Sequence, residues 1–227
     1  MPKTNKAFEP QKETLINIAL DIFIEYGYEQ TTMTQLRKAF NLSVGGMYHY
    51  FSSKEEILDA IILHGLQQAV EEVRGKLLEI PIEKKLYYFI SDSSANDFAM
   101  KLYQYKDDNK NSLVAYKLRE QNVNLFIPLV IEVFEESINI GLYKTEFPEE
   151  LAEFSMLLAK AIFEASFLPE GNLEKRKRRV DALLHIFKTA MKAPEYHLKK
   201  LRLAFYFALE SQHKFLNSKI NNLEKKQ

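Results

Sequence analysis

The sequence predicts an all-α protein, and three observations carry that expectation. Apolar residues recur mostly at three- and four-residue spacing, which is the period of a helix. Only 7 Gly and 7 Pro interrupt 227 residues. No segment alternates polar and apolar residues as a half-buried strand would, and there is no internal repeat or low-complexity tract.

The helices can be placed in order from their punctuation. The first is expected from about Pro10 to Tyr26, with a proline in its first turn and Gly27 to take the left-handed conformation after its end. Leu15, Ile16, Ala19, Ile22, Phe23 and Tyr26 form its apolar stripe. The second runs from about Met33 to Phe40. Thr32 and Gln35 have capping-box spacing, and Asn41 suits a left-handed stop. A third, short helix follows Ser43 and reaches about Tyr50. The fourth starts after Ser53, with Glu56 three residues on, and continues to about Glu79. Further helices are expected near 82–105, 111–122, 124–140, 149–168, 173–192 and 195–217, with a polar break over Lys106–Lys110.

Composition narrows the class. Hydrophobic residues make up 46% and charged residues 27%, a globular balance. The absence of cysteine excludes disulfides, thiolate zinc sites and cysteine nucleophiles. No HExxH-type pairing joins the scattered histidines His64, His185, His197 and His213, so neither a metal nor another cofactor is expected. No nucleophile elbow or phosphate loop is present, so the expectation is not an enzyme. No apolar run approaches the roughly 18 residues of a membrane span, and Met1 to Lys12 lack a signal peptide's apolar stretch. A soluble, cytoplasmic protein with no membrane partner is expected. Lys plus Arg equals Asp plus Glu at 31 each. Residues 1–55 balance as well, so any nucleic-acid reading must rest on a few placed contacts rather than on bulk charge.

Those contacts have a place. Two short helices joined by Asn41-Leu42-Ser43 make a helix-turn-helix, whose second helix would lie in a DNA major groove. Gly45 and Gly46 sit side by side inside that helix, although each costs about 1 kcal/mol against alanine. Missing side chains let a backbone approach another surface closely; a tight helix crossing would use them equally well. Met47 and Phe51, four apart, should pack inward, while Tyr48 and His49 point elsewhere and could meet phosphate or a thymine methyl. Lys54 opposes the dipole of the fourth helix unless it shares a phosphate with that helix's N-terminus.

Over Leu15 to Ile61 the chain resembles the N-terminal domain of the TetR (tetracycline repressor) family. The matching pieces are Ala19 with Phe23, Gly27-Tyr28, Thr31-Thr32, Leu42-Ser43, Gly45, Tyr48, Tyr50-Phe51, Ser53-Lys54-Glu55 and Leu58, in order and at the family's spacing. The resemblance implies a homodimer in which helices one to three bind an operator duplex, while the remainder holds a small-molecule effector and the dimer interface. Thr32, Tyr48 and Lys54 would be phosphate contacts. Ser43, Val44, Gly46 and His49 would touch bases or the adjacent backbone, with Gly45 among them. The sequence departs from the family at Arg37 and Phe40, where small residues are usual, and at Asn41, where glycine is. Val44 and Gly46 offer no hydrogen-bonding side chain, so readout would lean on His49, Tyr48 and DNA shape.

The expected domains are 1–55 for DNA binding, 56–193 for ligand binding and dimerisation, and 194–227 for an additional amphipathic helix and tail. Beyond residue 80 the resemblance is one of helical pattern only. It implies a pocket lined by Phe98, Leu102, Tyr103, Tyr116, Phe126, Val130, Phe134, Ser137 and Phe163, suited to a large, weakly polar ligand. It also implies a dimer interface on Phe154, Leu158, Ala161, Ile162 and Ala165, with Leu183, Leu184, Phe187 and Met191. The run Lys175-Arg176-Lys177-Arg178-Arg179 is expected to be a solvated face whose stems cover apolar surface. Past Pro194, Leu198, Leu201, Phe205 and Leu209 give one more helix a stripe that must be buried on its own subunit or on a partner. The function expected is a ligand-responsive transcriptional regulator, a repressor released from DNA by its effector. The alternative is a helical ligand- or protein-binding module that has lost specific DNA binding.

Overall fold

The computed structural model describes residues 8–91, 112–163 and 172–224. Among them the chain is all helical: α1 Phe8–Tyr26, α2 Met33–Ala39, α3 Val44–Tyr50, α4 Lys54–Glu79, α5 Ile82–Ser91, α6 Ser112–Asn139, α7 Pro148–Phe163, α8 Leu173–Ala190 and α9 Glu195–Glu224.

The local signals act as expected. Gly27 adopts φ +88° and its N–H closes on Phe23 O, ending α1. Thr32 and Gln35 form the full capping box of α2. Asn41 turns left-handed at φ +53°. Ser43 caps α3 by accepting from Gly46 N, and Ser53 caps α4 by accepting from Glu56 N. Two differences concern length. The segments expected at 111–122 and 124–140 are one unbroken helix, α6, with Pro128 inside it. The final helix runs past residue 217 to Glu224.

The residues pack into two compact units. The first holds residues 1–72 and 94–125, so it includes α1 to α3, residues 54–72 of α4 and the start of α6. Its core is Leu15, Ile16, Ala19, Leu20 and Phe23 against Leu36, Met47, Phe51, Ile57, Leu58 and Ile61, all buried. From the expected α1 stripe Tyr26 drops out, being exposed. The second unit holds residues 73–93 and 126–227. There α8 packs against both α7 and α9, and α9 also packs on α5. The second unit includes α9.

Within that unit α9 buries Leu198, Leu201, Phe205 and Leu209, the stripe read from the sequence. Its polar edge is tied to α8: Arg202 and the Tyr206 hydroxyl both reach the Asp181 carboxylate, and Lys177 Nζ lies 2.8 Å from Glu210. Arg176 donates to the carbonyls of Ile162 and Phe163 at the end of α7 and to Gln212 of α9. The basic run is thus only partly a solvated face. Arg176 closes a helix end and Lys177 joins an ion pair, because the charged edge of α9 lies alongside them.

Candidate nucleic-acid interface

The second helix of the helix-turn-helix is short, and its orientation follows from two buried anchors. Met47 and Phe51 are each 1% exposed, as their four-residue spacing requires. Phe51 lies against Phe40, with ring centroids 6.3 Å apart. The bulky residue at position 40 therefore fills space under the turn instead of disrupting it.

The turn is braced by Arg37. Its guanidinium donates to Leu42 O at 2.9 Å, while Leu42 N closes on Arg37 O. A cation at the C-terminal end of α2 also suits that helix's dipole. The three departures from the family pattern thus form one arrangement: Asn41 supplies the left-handed residue, Phe40 the filling and Arg37 the brace. Spacing alone could not reveal that brace, because an arginine near a helix end also fits open solvent.

With the inner face committed, α3 presents Val44 and Tyr48, each 60% exposed, together with exposed Gly45 and His49. The two glycines differ. A Cβ on Gly46 would come 3.2 Å from Ser43 Oγ, the oxygen that caps the helix. A Cβ on Gly45 would meet nothing within 4 Å. The fold accounts for Gly46 but makes no demand for glycine at 45.

Three of the expected polar contacts have work inside the protein. Thr32 Oγ1 accepts from Gln35 N and bonds Gln35 Oε1, and Ser43 Oγ accepts from Gly46 N. Lys54 departs most from its expected role. Its ammonium donates to Tyr28 O at 2.7 Å and Glu29 O at 3.3 Å, and it lies 4.4 Å from the centroid of the Tyr28 ring. It therefore pins the α1–α2 connection to the first turn of α4. This answers the dipole objection, because backbone carbonyls offset the misplaced charge. Beside it, the Glu56 carboxylate accepts from both the backbone and the hydroxyl of Ser52, which holds its pKa below the usual value.

The residues expected to line a pocket have different surroundings. Phe98, Leu102 and Tyr103 lie outside the described residues. Tyr116 belongs to the first unit and is 57% exposed. Phe126, Val130 and Phe134 are core residues of the second unit, Phe134 lying edge-on to Phe187 and Tyr143. The buried Ser137 hydroxyl donates to Val133 O in its own helix. Phe163 stacks on Phe205 of α9.

The interface residues also separate. Phe154 and Leu158 are exposed, and Leu157 and Ile186 join them. Ala161 is half-buried, and Ala165 lies outside the described residues. Ile162, Leu183, Leu184, Phe187 and Met191 are buried within their own unit. Sequence periodicity marks a stripe without saying which partner covers it. Here α9 and the loop after α6 claim one side of α8. One polar cluster escaped the sequence reading: His197, wholly buried, bonds the Tyr143 hydroxyl at 2.7 Å and Glu83 O at 3.0 Å. Among the described residues no three His, Asp or Glu side chains gather to hold a metal, and no helix is long and apolar enough to cross a membrane.

A capped and braced helix-turn-helix defines a class, and the comparisons say which family that segment is similar to. Residues 15–61 match the family described as bacterial regulatory proteins, tetR family. That match covers the helix-turn-helix segment of the chain. It is 35% identical over 66 residues to the transcriptional regulator UidR of Escherichia coli, covering 29% of this chain and 34% of that protein. The chain thus spans about a third of the length of that curated relative. It is 26% identical over 196 residues to IcaR, the negative transcriptional regulator of a biofilm operon in Staphylococcus epidermidis, covering 78% of this chain and 98% of that protein. A TetR-family transcriptional regulator from Mesorhizobium loti has a similar fold, with a TM-score of 0.53 at 17% identity over 90% of this chain and 95% of the other.

Proposed function

We propose that the protein is a dimeric, ligand-responsive transcriptional regulator that lays α3 in the major groove of operator DNA and is released by a small, largely apolar effector. The observation that carries the DNA reading is Gly45. It is exposed in a helix, has open space around it, and is not required by the fold. A bare backbone there suits close approach to a phosphate or base edge. Exposed Val44, Tyr48 and His49 surround it, with the methyls of Val44 suited to a thymine methyl. IcaR's description as a negative regulator supports repression as the direction of control. Homodimerisation would use the exposed stripe Phe154, Leu157 and Leu158 with Ile186.

The direct test is selection of duplexes from a randomised pool, followed by affinity measurement across salt concentrations. A DNA reader enriches a palindromic sequence, and its affinity falls steeply with salt as phosphate counterions are released. The internal duties of Thr32, Ser43 and Lys54 favour one other reading, a helical ligand- or protein-binding module that has lost specific DNA binding. That reading is upheld if no sequence is enriched.

A further inference from the structure

We propose that Lys117 is a positioning residue for DNA reading: by bridging Glu55 and Asp59 it holds the first two turns of α4 in the orientation from which α3 meets an operator. The inference rests on the DNA-binding reading above.

The start of α4 is held by two lysines within the first unit. Lys54 fastens it to the carbonyls of Tyr28 and Glu29, at the connection leading into α2. Lys117 of α6 places its ammonium 2.6 Å from Asp59 Oδ1 and 2.9 Å from Glu55 Oε1. Glu55 and Asp59 are four apart and share a face of α4, so without a cation between them they repel. Glu55 also suits the helix N-terminus, but Asp59 lies beyond the first turn and gains little there.

The stem of the clamp is fixed. Val114 and Leu118, flanking Lys117 on α6, are 0% and 1% exposed. Backbone movement is therefore restricted on that side, and the lysine has a defined reach. Its side chain is 16% exposed, against 59% and 49% for Glu55 and Asp59. Burial alone would lower its pKa, but the hydrogen bonds it donates to Asp59 and Glu55, with their charges, outweigh that and raise it, so the clamp stays charged. Pairs this open to water add little to folding stability. Their effect is on direction, since a cation held by two carboxylates one turn apart sets the angle of the helix that carries them. The helix bearing Lys117 continues unbroken to Asn139 and carries Phe126, Val130 and Phe134.

The test uses the full chain and the duplex that the wild type selects from a random pool. Affinity is measured on that duplex, on duplexes with half-site spacing changed by one and two base pairs, and on an unrelated duplex. Lys117→Met keeps the stem and removes the charge. It is expected to lose about tenfold on the selected duplex, to flatten the spacing preference, and to leave unrelated DNA and the melting temperature nearly unchanged. Lys117→Glu combined with Asp59→Lys restores an ion pair and is expected to recover most of the loss. The proposal is overturned if Lys117→Met keeps wild-type affinity and spacing preference. It is also overturned if the melting temperature falls sharply and the exchanged pair rescues neither property. Should the wild type select no duplex, the DNA-binding reading fails and the proposal fails with it. Should the wild type select one that Lys117→Met reads equally well, only the role of Lys117 is lost.

Discussion

At the scale of single residues, the adjacent glycines of α3 show how a fold's needs separate from a function's. Gly46 lies under the capping hydroxyl of Ser43, and Gly45 lies in open space. Alanine at 45 therefore removes a helix-weakening residue without a clash. Gly45→Ala is expected to raise unfolding free energy by up to about 1 kcal/mol in denaturant titration, while weakening operator binding about tenfold. Gly46→Ala should gain less, because its methyl presses on the cap. A second residue-scale prediction concerns His197. Glu83 O only accepts, so the imidazole carries its proton on Nε2, and Nδ1 accepts from the Tyr143 hydroxyl. Burial lowers the His197 pKa, and Lys200 on the same helix also lowers it, against the bond to Glu83 O and the Glu83 charge. The unfolded chain therefore binds this proton more readily than the folded one. Stability is present above the ordinary value of 6.5 and is lost as pH falls below it. The melting temperature should drop between about pH 7.5 and pH 5.5, and His197→Gln should flatten that part of the profile.

At the scale of elements, caps were legible and partners were not. The capping box at Thr32, the Ser53 cap, the left-handed Asn41 and Gly27, and the inner stripe of α9 depend on residues within a few positions of one another, and the sequence displays them directly. The continuity of α6 was hidden because the polar residues Arg119, Glu120, Gln121 and Asn122 look like punctuation when read locally. Tertiary burial of Leu118, Phe126 and Leu129 overrides them. The extra helix α9 now has a measurable weight. Leu201 is 1% exposed, and Leu201→Ala should cost about 2–5 kcal/mol by thermal or denaturant unfolding. Truncation after Lys192 strips buried Ala193 and the four buried apolar side chains of α9 from the second unit, along with the α9 partners of Arg176, Lys177 and Asp181. It should abolish that unit's cooperative transition while the first unit still melts. An unchanged two-step melt would show α9 to be dispensable.

At the scale of the whole molecule, neutral net charge and a DNA-reading role are compatible once contacts are few and placed. Charge replacement in the proposed dimer stripe tests the assembly. Phe154→Glu with Leu158→Glu introduces like charges on an exposed apolar face. Sedimentation should shift from dimer to monomer with little change in helix content, and operator affinity should fall because one half-site cannot hold the second. If the double variant stays dimeric, the interface lies elsewhere.

Local chemistry wrote the helix positions, the turn after α2 and the outward set Val44, Gly45, Tyr48 and His49 into the order of residues, because each depends on neighbours three or four positions away. Distant neighbours settled the rest. Lys54 serves the Tyr28 carbonyl, Lys117 serves Glu55 and Asp59, and Leu183, Leu184 and Phe187 belong to the core of their own unit. A lysine or a leucine looks the same in a sequence whichever surface it meets, and only packing decides which one that is.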